Sequence, residues 1–311
     1  MNKLALLCPG QGAQSAQMFA LSMQQEQAAS FVQNFLSLTI ENNQLAEVLS
    51  SPELLFENRY AQPLIVAVTL ANWLALRNHV PAPDLIAGYS VGEISAHAVS
   101  GSMDMSAAVQ LATARATLMQ ACVTAPQGML AVSGIAIFDI QQFAASHDLY
   151  VAIITADNKA IIAGQADKIR AAMPEIASLP GHDITCTEIA VHIASHTPLM
   201  QAAVPGFAQA LNDVPVHANE IPVLAGIKAE KVTEPATIRS SLLAQLTQTI
   251  QWHACMDAMA ENGISYALEL GPGSALSKML QTRHPHIACR SIADFRSLEG
   301  VIHWVQRQNE S

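Results

Sequence analysis

A chain of 311 residues, 51% of them hydrophobic, is long enough to bury a full core; it points to one large domain or one domain carrying a smaller one. A formal net charge of −10 argues against a general nucleic-acid-binding surface. The five cysteines (Cys8, Cys122, Cys186, Cys255, Cys289) show no zinc-ligand or Cys-x-x-Cys spacing, and an odd count argues against a disulfide framework, so a reducing cytoplasm is expected.

Met1 to Leu7 has too short an apolar run before Pro9-Gly10 for a signal peptide. Leu4 to Cys8 reads as a buried strand, and Pro9 to Gln14 as a Gly-rich loop. Helical patterns then dominate to about His79, the strongest starting near Gln62-Pro63, with Pro63 suited to a first helical turn. The apolar stretch Leu64 to Leu76, broken by Thr69 and Asn72, falls short of the roughly 20 residues a membrane span needs. It reads as a buried helix. Leu85 to Ala87 is a strand, Ile94 to Val99 is helical, and another helix runs from about Ser106 to Ala121.

Beyond Gly128 the pattern changes. Met129 to Val132 is a strand and Phe138 to Ser146 a helix; Tyr150 to Thr155 and Ala160 to Ala163 are strands around a turn at Asp157-Asn158. Ala166 to Leu179 is a helix and Ile184 to Val191 a strand. The order β-α-β-β-α-β is the ferredoxin-like signature. It is expected to form a small domain over residues 126–195, inserted into a larger α/β domain made of residues 1–125 and 196–311. In the latter, Thr197-Pro198 opens a helix to about Asn212, and Pro222 to Ala225 is a strand. Helices are expected over Ile238 to Ile250 and Ala254 to Glu261. Tyr266 to Leu270 is a strand ending in Gly271-Pro272-Gly273, Ile287 to Ile292 the last strand, and Phe295 to Gln308 the last helix. Strand–helix alternation outside the insert implies a mostly parallel sheet.

The chemistry centres on Gly88-Tyr89-Ser90-Val91-Gly92, a Gly-x-Ser-x-Gly pattern between a strand and a helix. Such a turn exposes the serine Oγ at a helix N-terminus, where it suits attack on an acyl carbon. Ser90 needs a base. His196, at the return from the insert and beside a helix start, is a candidate; its plain alternative is a helix cap, and His192 is a rival placed in a strand. The loop Pro9 to Gln14 could offer an N–H to an oxyanion together with that of Val91. It also competes as an ordinary turn, or as a dinucleotide loop in which Ser15 stands where a third glycine is wanted. Arg115, in a largely apolar helix, needs a partner: either a substrate carboxylate or an internal salt bridge. Glu93 reads as a helix-N-terminal charge. No P-loop, His-Glu-x-x-His or metal-ligand cluster appears.

Taken in order, Pro9 to Gln14, Gln62-Pro63, Gly88 to Glu93, Arg115 with Met119-Gln120, Ser195-His196, Gln251-Trp252 and Gly271 to Gly273 resemble the malonyl-CoA:acyl-carrier-protein transacylase family over essentially the whole chain. The resemblance implies a large α/β-hydrolase-like domain carrying a ferredoxin-like insert. It implies Ser90 as the acylated nucleophile and His196 as base. It also implies backbone N–H groups of Gln11 and Val91 as oxyanion hole, Arg115 for the malonyl carboxylate, and the main-chain carbonyl of Gln251 orienting the histidine. No permanent cofactor or metal is expected. Malonyl-CoA is the substrate, and the partner is a small acyl carrier with a CoA-like prosthetic group; no nucleic acid or membrane is expected. Tyr89 replaces the usual histidine, and Gly-Tyr-Ser-x-Gly-Glu is similar to the epsilon subunit of malonate decarboxylase, which implies the decarboxylase carrier subunit as acceptor. Alternatives are the malonyl transacylase of fatty-acid synthesis, a serine thioesterase or esterase using Asp257 or Glu269 with His284 or His286, and a non-catalytic carrier-docking subunit.

Overall fold

The computed structural model describes residues 2–39, 45–219 and 221–310. Part of the early helical expectation, residues 40–44, lies outside the described residues. The strands are Lys3–Cys8 (β1), Leu85–Gly88 (β2), Gln127–Ser133 (β3), Tyr150–Ala156 (β4), Lys159–Gln165 (β5), Thr185–Ile189 (β6), Val223–Ala225 (β7), Glu230–Val232 (β8), Ile250–Gln251 (β9), Ile264–Glu269 (β10) and Ala288–Ser291 (β11).

They form two sheets. The first has the order β11-β10-β1-β2-β7-β8, parallel except for the antiparallel pair β7–β8. Side chains along β1 alternate between two cores, as a period of two requires. Leu4, Leu6 and Cys8 face one core, where the helices Asn58–Leu76 and Met105–Ala121 pack. Ala5 and Leu7 face the other, with residues of the helices Trp252–Glu261 and Ala275–Arg283. A mostly parallel sheet covered on both faces is the expected α/β arrangement.

The second sheet has the order β6-β3-β5-β4-β9. The first four strands are antiparallel neighbours, and the helices Ile137–Ser146 and Ala166–Ile176 lie between them in sequence, which is consistent with the ferredoxin-like pattern. Leu130, Val132 and Ile162 face those helices. Met129, Ile153 and Ala163 point the other way, into the core shared with the first sheet. The short strand β9 pairs in parallel with β4 at Ile153–Ile250 and Ile154–Gln251.

Three boundaries depart from the sequence reading. Pro63 lies inside the helix Asn58–Leu76 rather than in its first turn, because the Glu57 carbonyl already accepts from Tyr60 and Ala61. The helix expected over Ile238 to Ile250 spans Pro235–Ala244, and the chain then turns to supply β9. His192 lies outside β6 and is exposed. Among the described residues no helix is long and apolar enough to cross a membrane.

Candidate active site

The loops after β1, β2 and β10 meet at the carboxyl ends of their strands, where open α/β sheets bind ligands. The tightest is the elbow after β2. Ser90 adopts φ +55°, a left-handed conformation that costs a non-glycine residue energy and is held by its surroundings. Gly88 and Gly92 make the bend possible. A Cβ on Gly88 would stand 2.3 Å from the Glu93 backbone, and one on Gly92 would stand 2.1 Å from the Cys8 carbonyl oxygen. The elbow is closed by N–H groups of Gly92, Glu93 and Ile94 donating to the carbonyls of Tyr89, Ser90 and Val91. The N–H groups of Val91 and Gln11 take no part in that closure. The neighbouring loop is braced by the Gly12 N–H donating to Gln14 Oε1.

Ser90 Oγ lies 2.8 Å from His196 Nε2. The other ring nitrogen, Nδ1, is 2.6 Å from the main-chain oxygen of Gln245. A carbonyl only accepts, so Nδ1 carries the proton and Nε2 presents its lone pair to the Ser90 hydroxyl. His196 is 1% exposed and itself has φ +61°. Thr197 caps the short helix that follows, accepting from the Leu199 N–H, and its own hydroxyl donates to Ala194. Burial, and secondarily the charge of Arg115, push the His196 pKa down to about 3 against the opposing pull of the Gln245 carbonyl. The ring is therefore neutral at physiological pH, as a base must be.

The histidine-orienting carbonyl belongs to Gln245, not to Gln251. Gln251 is held in β9, where its N–H donates to Gly226 at 2.7 Å. Gln245 immediately follows the helix Pro235–Ala244, so its carbonyl is one of the terminal acceptors that a helix leaves free.

Arg115 is 2% exposed. Its Nη1 donates to Gln62 Oε1 at 2.6 Å and its Nη2 to Gln245 Oε1 at 3.3 Å. Burial lowers its pKa to about 10, opposed by the charge of Glu93. Glu93, read from sequence as a helix-end charge, is fully buried. It accepts from the Gly226 N–H, the Ser241 hydroxyl and the Gln245 side-chain amide at 3.0, 2.9 and 2.6 Å. Burial raises its pKa, while these three bonds and Arg115 push back. Sequence reasoning missed Gln245, since nothing local marks a helix stop there.

A cavity of about 280 Å³ opens on Ser90. One wall is the Pro9–Ala13 loop with Pro272 and Leu276; the other is apolar and comes from the second sheet through Met129, Ile153, Ile161 and Ile189. Tyr89 also lines it, with its ring edge-to-face on Trp252 at 5.3 Å between centroids. Arg115 is not part of this wall. Asp257 and His284, candidates for a hydrolase-type acid and base, bond to each other at 2.8 Å, Asp257 also accepts from Arg283, and neither lines the cavity. Glu269 does line it, with its Oε2 accepting from the Ser277 N–H. No group of His, Cys, Asp and Glu among the described residues could hold a metal ion.

The acyl transferase domain family model matches residues 5–295. The malonyl CoA-acyl carrier protein transacylase of Mycobacterium tuberculosis is 30% identical over 293 residues, covering 93% of this chain and 96% of that protein. The transacylase of the same name from Haemophilus influenzae is 27% identical over 323 residues, covering 97% and 98%. Among solved structures, FabD from Acinetobacter baumannii is similar with a TM-score of 0.87 at 29% identity, covering 98% of this chain and 99% of that one. FabD from Coxiella burnetii shares the fold with a TM-score of 0.91 at 23% identity, covering 99% and 98%.

Proposed function

Because the chain belongs to the acyl transferase domain family, we propose that it moves a malonyl group from malonyl-CoA, through a Ser90 ester, to the phosphopantetheine-type thiol of an acyl carrier protein. The observation that carries this reading is the Ser90–His196–Gln245 relay, with its 2.8 Å and 2.6 Å contacts. His196 Nε2 takes the Ser90 proton as Oγ attacks the thioester carbon. The developing oxyanion is met by the N–H groups of Gln11 and Val91. The C–S bond then breaks, and His196 returns the proton to the sulfur of CoA. The carrier thiol repeats the sequence in reverse on the Ser90 ester. The Gln245 carbonyl stabilises the imidazolium formed in each half, the part that a carboxylate plays in a triad.

The named relatives act with acyl carrier protein, and this supports a carrier of the fatty-acid type better than the carrier subunit of malonate decarboxylase. Tyr89 is the one observation on the side of the decarboxylase carrier, and its ring forms part of the cavity. Intact-mass measurement after addition of malonyl-CoA tests the first half-reaction: a malonyl adduct on the wild type, absent in Ser90→Ala, is expected. Offering a fatty-acid carrier and a decarboxylase carrier subunit in parallel then decides the acceptor. Release of free malonate faster than transfer to either carrier would overturn the transferase reading.

A further inference from the structure

Gln245 touches both working groups of the site with different atoms. Its main-chain oxygen accepts from His196 Nδ1 and its side-chain oxygen accepts from Arg115 Nη2. Its side-chain nitrogen is taken up by Glu93 Oε2 at 2.6 Å, the shortest of the three bonds to that carboxyl. Glu93 is in turn anchored from two other elements, by the Gly226 N–H after β7 and by the Ser241 hydroxyl on the helix Pro235–Ala244. A carboxyl fixed at three points thus fixes a residue that bonds both base and guanidinium.

We propose that Glu93 is a positioning residue that, through the Gln245 side chain, sets the orientation of both His196 and Arg115. The Glu93 carboxyl makes no bond to Ser90 Oγ, to the ring of His196 or to Arg115; its link to those groups runs through Gln245. Without that bond the Gln245 amide can rotate, Arg115 loses one of its two acceptors, and the carbonyl after the helix end is no longer held against Nδ1. The claim about Arg115 rests on the malonyl-transfer reading; the claim about His196 does not.

Three variants separate positioning from charge. Gln245→Met keeps the main-chain carbonyl and removes both side-chain bonds. Glu93→Met removes the anchor. Glu93→Gln restores it, since one amide oxygen can accept from Gly226 and Gln245 while its NH₂ donates to Ser241. Two readouts are taken: the rate at which a fluorophosphonate labels Ser90, which depends on His196 and not on a carboxylate, and single-turnover acylation by malonyl-CoA and acetyl-CoA. Gln245→Met and Glu93→Met are expected to slow labelling about tenfold and to lower the malonyl-to-acetyl preference about tenfold, the scale of a lost bond to a charged group. Glu93→Gln is expected to stay within about threefold of wild type on both readouts. Gln245→Met that keeps both values within about twofold would overturn the proposal. So would Glu93→Gln falling as far as Glu93→Met, which would make Glu93 a counter-charge only. If Glu93→Met does not fold, the other two variants still decide. If the wild type takes no malonyl at all, the transfer reading fails while the labelling arm still reads the effect on His196.

Discussion

Arg115→Ala separates a substrate-binding guanidinium from a structural one. The side chain is 2% exposed, and its bonds run to two neutral amide oxygens, Gln62 Oε1 and Gln245 Oε1. Burial lowers its pKa to about 10, so it is still protonated at neutral pH and its charge is incompletely matched by bonded partners. In the proposed reading a malonyl carboxylate supplies that match and an acetyl group does not. A charge-assisted bond of this kind is worth roughly 1.5–3 kcal/mol, and a two-pronged contact about 3 kcal/mol or more. At ~1.4 kcal/mol per decade, Arg115→Ala should lower kcat/KM for malonyl-CoA about a hundredfold. Acetyl transfer should change by less than about fivefold, because Gln245 keeps its bond to Glu93. The assay is quench-flow acylation of Ser90 followed by intact mass, with both thioesters and with folding checked by thermal melting. Equal losses for the two acyl groups would refute the reasoning. Arg115 would then be only the counter-charge to Glu93, a role consistent with its absence from the cavity wall.

Further outcomes follow from the same geometry. With the His196 pKa held at about 3, the base stays neutral from pH 5 to 8, so Ser90 acylation should lack the acid limb near pH 6.5 that an ordinary histidine gives; a limb there, measured by stopped-flow, would contradict the buried relay. His97 is fully buried, neither ring nitrogen has a hydrogen-bond partner among the described residues, and burial lowers its pKa to about 3. Its folded pKa is depressed, so between pH 6.5 and 3 the unfolded chain binds the extra proton, and the stability present above pH 6.5 is lost as pH falls. By pH 5 that loss is about 2 kcal/mol, and His97→Leu should abolish that part of the difference between pH 8 and pH 5 in urea unfolding. Gly92→Ala places a Cβ 2.1 Å from the Cys8 carbonyl oxygen. It should destabilise the protein by about 3 kcal/mol or more, and soluble, active, normally melting protein would show that the elbow can relax.

How much of the site was legible depends on how local its causes are. The elbow was legible because its glycines answer to neighbours a few residues away or on the adjacent strand, and β1 and β2 are plain apolar runs. The β-α-β-β-α-β order was legible because each element has its own period and its own turn. Gln245 was not. Leu242, Leu243, Leu246 and Ile250 keep a helix-like apolar spacing with no glycine, proline or asparagine to stop it, so the sequence reads as one helix to Ile250. The helix ends at Ala244 for a tertiary reason. Leu246 is buried in the core beneath the first sheet, while Ile250 is drawn to the opposite core and pairs with Ile153 as an added edge strand. No continuous helix brings both residues to those places. The break leaves the Gln245 carbonyl without a helical donor, and His196 Nδ1 supplies one. The same packing conflict that hid Gln245 from the sequence thus provides the acceptor that stands where a triad would have its acid.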